Sequence, residues 1–132
     1  MFDVLEMGAS GLMVQRVRMD TTANNVLNIN TTRNEHGEKI PFRRRMVLLQ
    51  AGTPDGKPGV RISQIRPDPS PFNERYEPGH PDADERGIVK YPNIDLATEM
   101  VNMLEASRAY EATITMMETS KAMFNASLRL IA

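Results

Sequence analysis

Proline is confined to the middle of this chain. All nine prolines lie between positions 41 and 92, and the 40 residues on either side of that interval contain none. Because proline breaks the interior of a helix, long uninterrupted helices can form only in the two terminal segments. The sequence therefore predicts an N-terminal coiled-coil helix in residues 1–32, a β and loop segment over 33–92, and a long helix in 93–132 that packs with the first.

Apolar residues recur at alternating spacings of three and four in both terminal segments, which is the heptad pattern of a coiled coil. A C-terminal helix from 95 to 130, with Asp95 as its N-cap, would be about 54 Å long, a length typical of a coiled coil or filament core. Gly8 and Gly11 weaken the N-terminal helix but would permit close contact between helices. The two heptad lines are Phe2, Leu5, Ala9, Leu12, Arg16, Met19, Ala23, Val26, and Met100, Met103, Ser107, Tyr110, Ile114, Met117, Lys121, Phe124, Leu128, Ile131.

The middle segment alternates strand-like runs with turn residues. Residues 42–49 and 60–65 are predicted strands, and the Gly- and Pro-rich loop between them is typical of a hairpin. Ile65 falls on the opposite face from Val60 and Ile62, which indicates a β-bulge. Residues 67–82 are predicted to be extended chain, and 88–91 a short strand. The predicted fold class is mainly α, with a coiled-coil pair of long terminal helices and a small irregular or β-hairpin insert.

The terminal helices carry more apolar surface than one small chain can cover. A second apolar line, through Ala109, Met116, Met123 and Leu130, runs beside the C-terminal heptad line, and only four of the last 24 residues are charged. Nine of the ten methionines lie in the terminal segments, where a flexible side chain suits contacts of several kinds. We therefore expect both helices to pack against other subunits, and the free monomer to have poorly ordered ends. The candidate assembly interface is Leu5, Leu12, Met19, Asn24, Asn25, Val26, Asn28, Met100, Met103, Tyr110, Ile114, Met116, Met117, Met123, Phe124, Leu128 and Ile131.

Asparagines cluster where the N-terminal helix is expected to end, in residues 28–32. Asn24 and Asn25 lie inside the heptad pattern, although asparagine is a poor helix former. Two interpretations remain open: the amides form a local cap and turn, or they hydrogen-bond to another backbone or helix.

Several classes of function lack the residues they need. The chain has no cysteine, a formal net charge of −1 and only two histidines, which form no His-x-x-x-His pair. We therefore expect no metal, no cofactor and no nucleic-acid partner. No catalytic motif or convergent set of titratable groups indicates an enzyme or a small-molecule substrate. There is also no 18-residue apolar run and no visible cleavable signal peptide.

Two stretches resemble a known family. Residues 23–33, ANNVLNINTTR, resemble the N-terminal motif of bacterial flagellar rod and hook proteins. Residues 76–95, YEPGHPDADERGIVKYPNID, together with 99–102 and 106–112, resemble more specifically the proximal rod proteins of the flagellar basal body. The resemblance covers nearly the whole chain. The departures, at Leu27, Ile29 and Ile88, affect no chemical role.

The resemblance implies a structural subunit of the basal-body rod, the drive shaft that crosses the periplasm. It implies export by the flagellar type III apparatus without a cleaved signal peptide, and terminal helices that form an inner layer around an axial channel. The implied partners are copies of the chain itself, the rod proteins FlgB, FlgF and FlgG, and the adaptor FliE. The alternatives are a different rod subunit and a small soluble binding module or secretion chaperone that forms a closed helical oligomer.

Overall fold

The computed structural model describes residues 2–131 and has the predicted fold class, two long terminal helices flanking a small β-containing middle. The middle contains two separate antiparallel strand pairs, β1–β2 and β3–β4. The elements are α1 (Phe2–Leu27), β1 (Arg45–Ala51), β2 (Val60–Pro67), β3 (Asn73–Tyr76), β4 (Ile88–Tyr91) and α2 (Leu96–Ile131).

Local side-chain hydrogen bonds explain where the helices begin and end. At the end of α1, the Asn28 side-chain amide donates to the carbonyl of Asn24 over 2.8 Å, and the chain turns through residues 28–30 as the sequence predicts. At the start of α2, the Asp95 carboxylate accepts a hydrogen bond from the Thr98 hydroxyl over 2.7 Å. That bond, with those from the backbone amides of Thr98 and Ala97, lowers the pKa of Asp95. Asp95 is therefore the N-cap that the sequence predicts.

The two helices pack antiparallel and come closest at a glycine. A β-carbon placed on Gly8 would lie only 2.6 Å from Cγ of Met117, so the backbone of α1 lies directly against that side chain. A β-carbon placed on Gly11 would lie at an ordinary contact distance, 3.8 Å from Cγ2 of Thr113. The expectation of close helix contact is thus confirmed at Gly8. The facing pairs that define the register are Gly8 with Met117, Gly11 with Thr113, Arg18 with Glu105, and Asn25 with Glu99.

The β1–β2 hairpin lies against α1 and not against α2. The backbone amide of Val60 donates to the Ser10 hydroxyl oxygen over 3.2 Å, which attaches the start of β2 to α1. The register of the hairpin shifts between Leu48, which pairs with Gln64, and Leu49, which pairs with Ile62. Ser63 is the extra residue, so the predicted bulge is present in β2. The β3–β4 pair includes Asn73–Tyr76, where the sequence predicted only extended chain.

The hydrophobic core is small and lies at one end of the helix pair. Its buried residues include Val14, Val89, Tyr91, Ile94 and Ala106. They join the middle of α1, strand β4 and the first turns of α2. Among residues 2–131 no helix is both long enough and apolar enough to cross a membrane. The rest of the apolar helix surface is only partly covered by the chain itself.

Candidate assembly surfaces

A buried polar cluster joins the two helices to the middle segment. We call Asn25, Arg44, Asp68 and Glu99 the polar junction. Asn25 and Glu99 are each only 1% exposed. The Asn25 amide nitrogen donates to the carbonyl of Arg45 over 3.0 Å and to Oε2 of Glu99 over 3.4 Å, and its Oδ1 accepts from the amide of Arg45 over 3.0 Å. One side chain of α1 therefore contacts both α2 and the start of β1.

Arg44 supplies the positive charge of the polar junction. Its Nε donates to Oε1 of Glu99, and its Nη1 lies 3.2 Å from Oδ2 of Asp68. Burial by itself lowers the pKa of Arg44, but the hydrogen bonds and charges of Glu99 and Asp68 outweigh that effect and raise the pKa. The pKa of Asp68 is lowered, first by hydrogen bonds from Ser70 and then by Arg44. The buried carboxylate of Glu99 is thus paired, which a buried charge requires.

Every buried side-chain nitrogen and oxygen in residues 2–131 has a hydrogen-bond partner. The polar junction is therefore a completed network, which rigidifies the parts that it connects. It offers no unsatisfied group to a substrate. The same part of the chain contains no group of three His, Asp or Glu residues placed to hold a metal ion.

A second polar contact joins the two stretches that carry the family resemblance. The Thr32 hydroxyl donates to Oδ2 of Asp82 over 2.6 Å, and Nε of Arg33 donates to Oδ1 over 2.6 Å. The hydrogen bonds from Arg33 and Thr32 lower the pKa of Asp82, in that order of size. Thr32 and Arg33 follow the asparagine run, and Asp82 lies in the loop before β4, so these motif residues hold the chain's own parts together.

Each of the two interpretations that the sequence left open applies to different asparagines. Asn25 bonds to another helix and to a distant backbone, whereas Asn24 and Asn28 bond to each other within the last turn of α1. Asn25 was predicted to lie at the assembly interface. In the structure it faces inward, and its own chain covers it.

The C-terminal end of α2 extends beyond α1. Since Gly8 of α1 already faces Met117, the start of α1 lies near residue 122 or 123, and α2 continues to Ile131. Every residue from 121 to 131 is exposed. We call this segment the α2 overhang; its eleven residues span about 16 Å, of which the last eight, about 12 Å, lie beyond α1. Its large apolar side chains are Met123, Phe124, Leu128, Leu130 and Ile131, with exposures of 66%, 37%, 49%, 89% and 84%.

A second uncovered apolar surface lies at the opposite end of α2. We call Leu96, Met100, Val101 and Leu104 the α2 proximal face; all four are between 44% and 63% exposed. Only Met100 was among the predicted interface residues. The sequence contained a sign of this face, because Leu96, Met100 and Leu104 follow one another at spacings of four. Leu96 and Leu104 were not predicted because they lie outside the heptad line that runs through Met103.

The remaining predicted interface residues divide by helix and by exposure. The apolar α1 residues among them are half-buried. The α2 residues that face α1 are also half-buried, whereas Met116 is exposed on the flank of α2. The half-buried residues are Leu5, Leu12, Met19, Val26, Met103, Tyr110, Ile114 and Met117.

Comparison with known proteins agrees with the resemblance that the sequence shows. A family described as flagella basal body rod protein matches residues 5–33, and one described as flagellar basal body rod FlgEFG protein C-terminal matches residues 85–130. Proteins named flagellar basal-body rod protein FlgC are similar over almost the full length. The protein of Bacillus subtilis is 39% identical (98% of this chain and 97% of the relative), that of Borreliella burgdorferi 35% (99% and 97%), and that of Salmonella typhimurium 33% (98% and 97%).

Proposed function

Because the chain belongs to the FlgC family of flagellar basal-body rod proteins, we propose that it assembles helically with copies of itself and other rod subunits through the exposed faces of its two long helices. The family is one of structural subunits of the basal body and not of enzymes. Our proposal concerns how such a subunit is incorporated into the rod: the helices form an inner wall around an export channel, and the β-containing middle forms the outer layer.

The α2 overhang is the observation that carries this proposal. Five large apolar side chains, between 37% and 89% exposed, lie on eleven consecutive exposed residues. Full burial of one such side chain is worth about 1.5–3 kcal/mol, so leaving the overhang in water is costly. A helix that is apolar on several sides is normally found inside an assembly. Neighbouring subunits would supply the missing cover.

The two uncovered surfaces of α2 differ from each other, which favours head-to-tail contacts. The overhang contains Lys121 and Arg129 and no acidic residue, whereas the proximal face is flanked by charges of both signs: exposed Asp95 and Arg108, and Glu105, which pairs with Arg18. Contacts between unlike surfaces pair one subunit with the next and leave a free surface at each end. Such contacts generate an open helical assembly rather than a closed dimer.

The proposed interface keeps the predicted residues of both helices apart from Asn25, and adds Leu96, Val101 and Leu104 of the proximal face. Half-buried residues such as Leu12 and Tyr110 would contact neighbours along the flanks of the helix pair. The proposed partners are copies of this chain, FlgB, FlgF and FlgG, and the adaptor FliE. The proposed route is the flagellar type III export apparatus, without a cleaved signal peptide, to a rod that crosses the periplasm.

Charge substitution in the overhang tests this proposal. In cells whose only copy carries Leu128→Asp, we expect the variant to be made and exported but not incorporated into basal bodies, and swimming in soft agar to be lost. Ile114→Asp should also abolish swimming, although Ile114 is half-buried in its own chain and the change will affect folding as well. Leu128 is the sharper position because it is already 49% exposed in the free chain, whereas Ile114 is more deeply covered.

Asn125→Asp is the matched control for Leu128→Asp. It adds the same charge to the same helix end, on the face that carries Glu118 seven residues before and Arg129 four residues after. Swimming should therefore be retained. Normal swimming of the Leu128→Asp strain would contradict the proposal. Sedimentation distinguishes this proposal from the remaining alternative, a chaperone that forms a closed oligomer. A compact, fully folded dimer in dilute solution would favour the chaperone, whereas a monomer with frayed helix ends would favour a rod subunit.

A further inference from the structure

The polar junction is placed where it controls the alignment of the two helices. Asn25 lies at the end of α1 and Glu99 in the first turn of α2, and both are 1% exposed. Apolar side chains can exchange partners when one helix slides along another, whereas a buried polar side chain loses its hydrogen bonds. Single buried polar residues are known to specify helix register for this reason.

The geometry points to a register lock: we propose that Asn25, Arg44 and Glu99 fix how far α1 can slide along α2. The consequence for assembly rests on the proposed function, because register determines how many residues of α2 extend beyond α1. A slip by one heptad moves α1 by about 10.5 Å, most of the roughly 12 Å of the overhang that lie beyond α1. The overhang would then be largely covered or greatly lengthened.

The connections around the junction support a locking role. The hairpin rests on α1 and not on α2, so α2 is joined to it through side chains at this junction. Arg44, directly before β1, binds Glu99 of α2. Asn93, three residues before the start of α2, accepts a hydrogen bond from the amide of Arg44 over 2.9 Å and donates to the carbonyls of Asp68 and Ser70 over 3.2 and 3.1 Å. Sliding of α2 would break all of these bonds together.

Disulfide trapping can measure the register directly, since the natural chain contains no cysteine. Gly11→Cys with Thr113→Cys reports the observed register, because a β-carbon at position 11 lies 3.8 Å from Cγ2 of Thr113. Gly11→Cys with Ser120→Cys reports a slip of one heptad. In the observed register that second pair is separated by about 10.5 Å along the axis, which is beyond the reach of a disulfide.

Each cysteine pair is placed in the full-length chain with and without Arg44→Met/Glu99→Leu. This double variant replaces the buried ion pair with apolar groups of similar size, a change that folded proteins often tolerate. We expect the ratio of 11–113 to 11–120 product under mild oxidation to fall about fivefold or more, as a loss of about 1 kcal/mol of register preference would produce. Asp82→Asn is the control, because it removes an ion pair distant from the helix contact and should leave the ratio unchanged.

An unchanged ratio in the folded double variant would overturn the proposal and assign the register to the contact of Gly8 with Met117. Where the double variant does not fold, Glu99→Gln replaces it, because it removes the charge and keeps the shape. Its ratio should fall by a smaller factor, and an unchanged ratio again overturns the lock. A slipped register in a strain that swims normally would uphold the lock and contradict the role of the overhang in assembly.

Discussion

Gly8 permits a quantitative test of the helix contact. An alanine β-carbon at this position would lie 2.6 Å from Cγ and 2.7 Å from Sδ of Met117, closer than packed side chains allow. Overpacking of this kind costs about 1–3 kcal/mol. Alanine also favours a helix over glycine by about 0.8–1.0 kcal/mol. The two effects oppose each other, so Gly8→Ala should change the free energy of unfolding by between about zero and 2 kcal/mol, in the destabilising direction.

Gly11→Ala is the matched substitution three residues later. Its β-carbon would meet only Cγ2 of Thr113, at an ordinary contact distance of 3.8 Å. The gain in helix propensity should therefore remain, and this variant should be stabilised by up to about 1 kcal/mol. The two variants make the same chemical change in the same helix. Their difference, about 1–3 kcal/mol, isolates the steric contact with Met117.

Urea unfolding of the full chain, followed by far-ultraviolet circular dichroism, measures both free energies. A double-mutant cycle with Met117→Ala completes the test, because removal of that side chain should eliminate the penalty at Gly8 and leave the effect at Gly11 unchanged. Equal stabilisation by Gly8→Ala and Gly11→Ala, or no coupling between Gly8 and Met117, would refute the close contact and with it the register described above.

The two polar contacts yield further predictions. Asn25→Asp places a carboxylate beside Glu99 and removes both donated hydrogen bonds, so we expect the free energy of unfolding to fall by about 2–4 kcal/mol. Asn24→Asp, at a half-buried position in the same turn, should change that free energy little. Equal effects of the two substitutions in urea unfolding would count against the buried contact. Because Arg33 and Thr32 lower the pKa of Asp82, its stabilising effect is complete above the unfolded value of 3.8 and is lost as the pH falls through the lower folded value. The Asp82→Asn variant should therefore lose less stability than the natural chain as the pH falls below 3.8. An equal loss in the two proteins would contradict a stabilising role for the Asp82 carboxylate.

Much of the fold could be predicted because proline and heptad spacing are local signals. The absence of proline outside residues 41–92 located both helices, and Asp95 marked the start of α2 within one residue. The hairpin and the bulge in β2 followed from turn residues and from the alternation of Val60, Ile62 and Ile65. Strand β3 was missed because its four residues, NERY, are polar and exposed, so only pairing with β4 makes them a strand.

The polar junction could be predicted only in part. Asn25 was conspicuous as an amide inside an apolar pattern, and a distant partner was one of the two interpretations that the sequence left open. Glu99 and Arg44 carried no such signal, because charged residues in a helix and before a strand are ordinarily solvated. They become buried partners only when residues 25, 44 and 99 meet in three dimensions. The overhang was also hidden, since its existence depends on the register between the helices and not on the sequence of α2 alone.

Amide hydrogen exchange of the subunit, free in solution and built into isolated rods, tests most directly whether neighbours cover the apolar surface of the helices. In the free chain we predict rapid exchange for residues 121–131 and slow exchange where Asn25 packs against Glu99. In rods, exchange of residues 121–131 should become slow. Strong protection of 121–131 already in the free monomer, or continued rapid exchange of that segment in the rod, would contradict the account.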